Sequence, residues 1–157
     1  MIMWRRALDM LLGRRPVMMQ VGAVCHDAAT GQVLLITSRD TGRWVIPKGW
    51  PMEGRTLYGA AAQEAWEEAG VRGRIHPAEL GRFLYEKRQD QGYAVPVEMR
   101  VFLLSVDRLD DDFPESRQRQ RRWFTPADAA RRVVEPGLKR ILLSLQTADS
   151  PQAAPPS

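Results

Sequence analysis

The chain has 157 residues, a length that fits one domain with a sizeable hydrophobic core. Hydrophobic residues make up 44% and charged residues 27%, which excludes an intrinsically disordered protein, and the single cysteine, Cys25, excludes an internal disulfide and a zinc site of paired cysteines. The net charge of +4 favours anionic partners such as nucleotides, inositol phosphates or nucleic acid, without choosing among them.

Both ends of the chain are predicted to lie outside the folded domain. Residues 1–16 contain basic residues, but their longest apolar run is too short for a signal peptide or a membrane span. We therefore expect a cytoplasmic protein without a membrane partner, and favour a mobile or packing extension over an amphipathic anchor. The Ala- and Pro-rich residues 148–157 are predicted to be a disordered tail, which leaves residues 17–147 as the domain.

Three strands are predicted before the first helix. Turn-forming residues between the first two favour a β-hairpin. The third strand is short and is stopped by Pro47, and the Gly and Pro residues after it indicate a loop over residues 48–54. The three strands cover residues 17–26, 32–37 and 44–46.

A helix is predicted from about Thr56, a candidate N-cap, to Ala69, with Gly70 as the residue that ends it. Apolar residues recur at helical spacing on one side of this helix. They are Tyr58, Ala62, Ala65, Trp66 and Ala69. The other side is predicted to carry three glutamates, which are Glu64, Glu67 and Glu68.

More sheet and two helices are predicted after the glutamate helix. Alternating apolar residues indicate strands, and the turn-rich residues 89–92 separate the first two of them. Pro126 is suited to open the next helix, and Pro136 and Gly137 separate it from the last one. The strands cover residues 81–87, 95–106 and 122–124, and the helices cover residues 126–133 and 138–146.

The glutamate triplet is electrostatically unfavourable on its own. Glu64 neighbours Glu67 and Glu68 at spacings of three and four, and acidic groups near a helix C-terminus face the negative end of its dipole. Only Glu68 has a cation at helical spacing, Arg72, which lies beyond the helix end. A solvated acidic face is one interpretation. A divalent cation is the other, because carboxylate oxygens are hard ligands that suit magnesium or manganese.

The segment from Gly49 to Val71 resembles the Nudix hydrolase box, G-x5-E-x7-R-E-U-x-E-E-x-G-U, in which U is apolar. Two positions depart from it, because Arg55 stands at its first glutamate and Gln63 at its arginine. Residues 37–47 and 121–124 resemble the diphosphoinositol polyphosphate phosphohydrolase branch of that family, although residues 47–50 lack the glycine-rich loop common there. The resemblance implies an α+β protein, a Nudix-type α/β/α sandwich with a central mixed β-sheet.

The resemblance also implies an activity and roles for residues. It implies a Mg²⁺-dependent hydrolase, with Mn²⁺ as an alternative ion, that cleaves a phosphoanhydride bond in a nucleoside-diphosphate-linked, diphosphoinositol polyphosphate or dinucleoside polyphosphate substrate. The metal ligands would be Glu64, Glu68 and the backbone carbonyl of Lys48. Glu67 would be the general base or a third ligand, and Glu86 and Glu98 are alternative bases for which a structural role is favoured. Candidates for binding substrate phosphates are Ser38, Arg39, Lys48, Arg88 and Arg122.

Two other functions remain open at this stage. The domain can be a non-catalytic Nudix sensor of a nucleotide or inositol phosphate, with Arg55 and Gln63 as signs of lost catalysis. It can also be a basic nucleic-acid-binding module, although no aromatic-interleaved RNA motif accompanies its arginine run, and a solvated loop explains that run equally well. The run consists of Arg117, Arg119, Arg121 and Arg122. Oligomeric state is not indicated by the sequence.

Overall fold

A computed structural model of the chain describes residues 16–88 and 92–149. The predicted extension up to residue 15 and the tail from residue 150 lie outside the described residues. The elements are β1 (Met18–His26), β2 (Val33–Thr37), β3 (Trp44–Val45), β4 (Lys48–Gly49), α1 (Leu57–Ala69), β5 (Val71–Arg88), β6 (Ala94–Leu109), β7 (Arg121–Phe124), α2 (Pro126–Arg132) and α3 (Pro136–Asp149).

The strands form one mixed sheet. Its main path runs β3-β2-β1-β6-β5, with β4 paired to β1 and β7 paired to β2. β1 and β6 are parallel over their shared length, from Met18 opposite Val97 to His26 opposite Ser105, whereas the other pairs are antiparallel. Among the described residues, no helix has the length and apolar character needed to span a membrane.

Helices cover both faces of the sheet, and each face buries its own hydrophobic cluster. On one face, α1 packs through four alanines that are essentially inaccessible to solvent, so the helix backbone lies close to the strands. On the other face, α2 and α3 contribute to a cluster of larger side chains, which includes Leu138 and Leu142 of α3. Each large apolar side chain buried in this way contributes roughly 1.5–3 kcal/mol. The α+β fold with a central mixed sheet is confirmed. The four alanines are Ala60, Ala61, Ala65 and Ala69.

The ends of α1 were correctly predicted from local signals. The Thr56 side chain accepts a hydrogen bond from the Gly59 N–H at 3.0 Å, as an N-cap does. Gly70 ends the helix with φ of 68°, the left-handed conformation that glycine adopts readily. The helix carrying the glutamates is therefore fixed at both ends.

Other boundaries differ from the predictions. Residues 48 and 49, predicted as loop, form β4 because they pair with Val21 and Gly22 of β1. β5 begins ten residues earlier than the predicted residue 81, since irregularities in its pairing with β6 accommodate a stretch that contains Pro77. α3 begins at Pro136, where proline suits the first turn, and extends into the predicted tail as far as Asp149.

Candidate active site

Glu64 lies against the β4 backbone beside Gly49, which has no side chain to meet the Glu64 carboxylate. A Cβ placed on Gly49 would lie 2.3 Å from both Cδ and Oε1 of the Glu64 carboxylate. Partial burial and the negative charges of Glu68, Glu67 and Glu115 together raise the pKa of Glu64 from 4.5 to about 7, and the Arg119 charge opposes this rise. The Glu64 carboxylate is therefore half-buried among other carboxylates, which is the setting in which a cation stabilises it most.

Glu68 lies on the buried side of α1, with 7% of its surface exposed. The prediction that the three glutamates lie opposite the apolar side of the helix was wrong for Glu68, because its carboxylate is turned toward the strand and loop that pack beside the helix. Oε2 accepts a hydrogen bond from the Lys48 backbone N–H at 3.0 Å. Burial raises the pKa of Glu68, and Arg119 and that N–H oppose the rise.

The cation beside Glu68 is Arg119, not the Arg72 that helical spacing suggested. The Arg119 guanidinium donates to Glu68 Oε1 at 3.1 Å and to the Thr37 carbonyl at 3.0 Å, and it pairs with Glu115 at 3.1 Å. Its side chain is 8% exposed. Arg72 pairs instead with Asp110. The contact between Arg119 and Glu68 spans 51 residues of chain, so no local spacing could have revealed it.

A second arginine of the same run fixes the end of α1. Arg121 donates to the carbonyls of Ala69 and Asp110 at 2.8 and 2.7 Å, and its guanidinium lies over the Phe113 ring. Arg119 and Arg121 are thus internal ties between this loop and the glutamate helix. Neither a solvated loop nor a nucleic-acid patch describes these two residues. Arg117 and Arg122 remain exposed.

Glu67 contacts one of the two unusual box residues. Gln63 donates a hydrogen bond from its amide to Glu67 Oε1 at 2.9 Å. Gln63 and Arg55 line one side of the same open cleft of about 440 Å³, together with Trp66 and Arg72. The two departures from the box therefore border the same cleft, and the Glu67 carboxylate is oriented by the Gln63 amide.

A larger cleft of about 760 Å³ lies beside β4. Three of the five predicted phosphate-binding residues line it: Ser38, Lys48 and Arg88. Arg43 and Lys87 line it too and were missed by the sequence analysis. Lys48 joins this cleft to the glutamate helix, because its side chain faces the cleft while its backbone binds Glu68. Burial lowers the pKa of Lys48, and the nearby Glu68 charge opposes that change.

The two remaining phosphate candidates lie elsewhere. Arg39 donates to Gln118 at 2.9 Å and pairs with Glu115 at 3.4 Å, on the side of Arg119. Arg122 places its guanidinium over the Phe124 ring. The structure thus separates Arg39 and Arg122 from the cleft that holds the other three.

The two alternative bases, Glu86 and Glu98, lie in different surroundings. Glu98 pairs with Arg82 and Arg100, so a structural role describes it well, whereas Glu86 lines the larger cleft.

Cys25 is fully buried, and burial raises the pKa of its thiol to about 12, which is the behaviour of a core residue and not of a nucleophile.

Comparison with known families identifies the domain. The model of the NUDIX domain matches residues 17–145, which is most of the chain and contains every site residue described above. The chain belongs to the NUDIX domain family. Its segment from Gly49 to Val71 is therefore the NUDIX box of a genuine member, with Glu64, Glu67 and Glu68 in the positions of the box glutamates.

Individual relatives agree with this assignment of the NUDIX domain. The chain is 38% identical over 103 residues to diphosphoinositol polyphosphate phosphohydrolase 3-alpha of Mus musculus, covering 62% of this chain and 57% of the relative. It is 32% identical over 108 residues to Nudix hydrolase 12, mitochondrial, of Arabidopsis thaliana, covering 62% and 50%. The chain therefore spans about half the length of the curated relatives that it matches.

A solved structure shares the NUDIX fold. The E. coli dihydroneopterin triphosphate pyrophosphohydrolase superposes with a TM-score of 0.65 at 18% identity, covering 82% of this chain and 96% of that one. At this identity the likeness concerns the fold alone, and it supports the sandwich of helices around a mixed sheet.

Proposed function

We propose that this NUDIX domain is a pyrophosphohydrolase that cleaves a phosphoanhydride bond with the help of Mg²⁺ or Mn²⁺. The observation that carries the proposal is the pair of carboxylates, Glu64 and Glu68, held against the β4 backbone beside a basic cleft. The names of the relatives favour a diphosphoinositol polyphosphate as substrate. The resemblance to that branch also implies dinucleoside polyphosphates. A nucleoside-diphosphate-linked substrate fits the same basic cleft.

The residues present fit a hard divalent cation. Glu64 and Glu68 offer carboxylate oxygens, and their mutual repulsion is relieved when a cation lies between them. Within residues 16–88 and 92–149, no three acidic, histidine or cysteine side chains already surround one point. Mg²⁺ in phosphoryl-transfer sites is usually held by one or two carboxylates together with the phosphates of the substrate, and Glu64 and Glu68 can supply these two carboxylates.

Each residue then has a task. A bound divalent ion would neutralise charge on the diphosphate and lower the pKa of a water molecule. Glu64 and Glu68 would hold that ion, with the carbonyl of Lys48 as a further oxygen donor. Glu67, oriented by Gln63, would accept the proton of the attacking water or serve as a third ligand. Ser38, Lys48 and Arg88 would bind phosphate oxygens of the substrate in the larger cleft.

Arg39 and Arg122 stay in the proposal with a reduced role. Arg39 pairs with Glu115, which also contacts Arg119, so it lies near the metal-binding carboxylates and can meet a substrate phosphate from that side. Arg122 is exposed and would contribute only to the general attraction of anions.

A non-catalytic NUDIX sensor is the second candidate, and Arg55 and Gln63 favour it. Both replace residues of the family box, and both lie on the cleft beside Glu67. In that case the domain would bind a nucleotide or an inositol phosphate without cleaving it.

One assay separates the two functions. The purified chain is incubated with diphosphoinositol polyphosphates, dinucleoside polyphosphates and ADP-ribose, with Mg²⁺, with Mn²⁺ or with a chelator, and released phosphate or mononucleotide is measured. An enzyme turns over at least one compound only when a metal is present. A sensor binds a compound in calorimetry and releases no product.

A further inference from the structure

An ion pair forms part of the wall of the larger cleft. Arg43, just before β3, donates from Nη2 to Oε1 of Glu135, just before α3, at 2.6 Å. The two residues are 92 positions apart and both line the cleft. The Glu135 side chain is 10% exposed, so this acid is nine-tenths buried at the edge of a basic binding surface.

Half of this ion pair has no partner among the described residues. Nη1 of Arg43 and Oε2 of Glu135 are both buried and make no hydrogen bond. Buried polar atoms are usually paired, since an unpaired one has lost its water without a replacement. A guanidinium donor and a carboxylate acceptor, both unused, therefore belong to two ion-paired residues that line the cleft.

The two unused atoms together match a hydroxyl group better than a phosphate. A hydroxyl oxygen can accept a hydrogen bond from Arg43 while its proton is donated to Glu135. An ionised phosphate only accepts, so it would satisfy Arg43, leave Glu135 unpaired and repel the Glu135 charge. The cations that suit phosphates, Lys48, Lys87 and Arg88, line the same cleft without such a carboxylate bonded to them in the described contacts.

We infer that Glu135 is a specificity residue that accepts a hydrogen bond from a free hydroxyl on the organic part of the substrate. This rests on the proposed function, and it narrows the substrate to a diphosphate whose sugar or ring keeps an unphosphorylated hydroxyl. An inositol ring with a phosphate on every oxygen is disfavoured, because one of its phosphates would meet the Glu135 carboxylate. Contact with the substrate requires rotation of the two side chains, because the two unused atoms are buried in this structure.

Two substrates and two variants test this inference. ADP-ribose carries free ribose hydroxyls, whereas diphosphoinositol pentakisphosphate has none on its ring. We compare kcat/KM for both in the natural protein and in Glu135→Gln and Glu135→Lys. The preference for ADP-ribose should fall at least about tenfold in Glu135→Lys, which replaces the carboxylate by a cation. It should fall by a smaller factor in Glu135→Gln, which removes the repulsion of a phosphate without adding a positive charge. Dividing the ratio of the two kcat/KM values in each variant by the same ratio in the natural protein cancels the intrinsic difference in reactivity between the two substrates.

The matched control is Asp40→Asn, which removes one acidic charge from an exposed residue of the same cleft. It should leave the preference unchanged. A change in preference as large as that in Glu135→Gln, which also removes one negative charge, would show that net charge alone sets the preference and would overturn the inference. Thermal unfolding confirms that each variant is folded.

A preference that stays within about twofold in both Glu135 variants would also overturn the inference, and would assign Arg43 and Glu135 to a structural pair bridged by water. Glu135 also borders a small cavity of about 10 Å³, which is enough for one water at most. If neither substrate is hydrolysed by any protein, the proposed function fails, and the calorimetric affinities of the same two ligands decide the inference in place of kcat/KM.

Discussion

Replacing Arg119 by Gln should destabilise the domain strongly, because it leaves a buried carboxylate without its cation. The side chains of Arg119 and Glu68 are 8% and 9% exposed. Removing one partner of a buried pair costs about 3–5 kcal/mol. Glu68 keeps its hydrogen bond from the Lys48 N–H, so we expect the lower end, about 3 kcal/mol, which corresponds to a fall in Tm of roughly 10 °C.

Urea denaturation at pH 7.5 measures this loss as a change in the free energy of unfolding. Millimolar Mg²⁺ should restore part of it, since a divalent ion replaces the missing positive charge beside Glu68. Arg117→Gln is the matched control, because Arg117 is an exposed arginine of the same run and should change stability by less than about 0.5 kcal/mol. Equal, small losses in the two variants would refute the assignment of Arg119 as the partner of Glu68.

Three further predictions concern the glutamate helix and its surroundings. The folded protein raises the pKa of Glu64 from 4.5 to about 7, so between these pH values the folded state keeps a proton that the unfolded chain loses. Without metal, the free energy of unfolding should therefore fall by roughly 1–2 kcal/mol between about pH 4.5 and 7, a range that allows for solvent screening. Above pH 7 it should level off. Urea titrations across this range should show a flatter slope for Glu64→Gln, and an identical slope would contradict the cause given. Gly49→Ala should lower kcat/KM about 100-fold while changing the free energy of unfolding by less than about 1 kcal/mol. The reason is that the atoms nearest to the new Cβ belong to the flexible Glu64 side chain, which it would displace. An unchanged kcat/KM in this variant would argue against Glu64 as a metal ligand. The double change Arg55→Glu with Gln63→Arg should leave kcat/KM equal or higher, and a loss above tenfold would show that these residues serve this chain's own geometry.

The parts of the fold that local signals control were predictable. Thr56 and Gly70 bound α1 because an N-cap side chain and a left-handed glycine act on their own neighbours in sequence. The start of β5 was not predictable in this way, since its pairing with β6 is irregular and lacks a simple alternation. β4 was missed because two residues with loop-like sequence become a strand only when β1 lies beside them.

The site shows the same division. The box glutamates and residues 48–54 belong to one continuous segment, and the resemblance implied that Glu64, Glu68 and Lys48 form one site. The burial of Glu68 depends on which face of α1 meets the sheet, and its pairing with Arg119 depends on a loop about fifty residues away. Arg43 lines the larger cleft and pairs with Glu135, a contact that spans 92 residues. Contacts of this range are set by topology and not by local pattern.

The most direct test of the central claim is the metal-dependent turnover of Glu68→Gln beside Glu53→Gln. Glu68 is a buried carboxylate bonded to Lys48 and Arg119, whereas Glu53 is an exposed glutamate of the loop that leads into α1. With Mg²⁺ and the best substrate of the panel, kcat/KM should fall by orders of magnitude in Glu68→Gln and stay within about twofold of the natural protein in Glu53→Gln, with both variants folded. Full activity in a folded Glu68→Gln would contradict the placement of the catalytic metal on this helix.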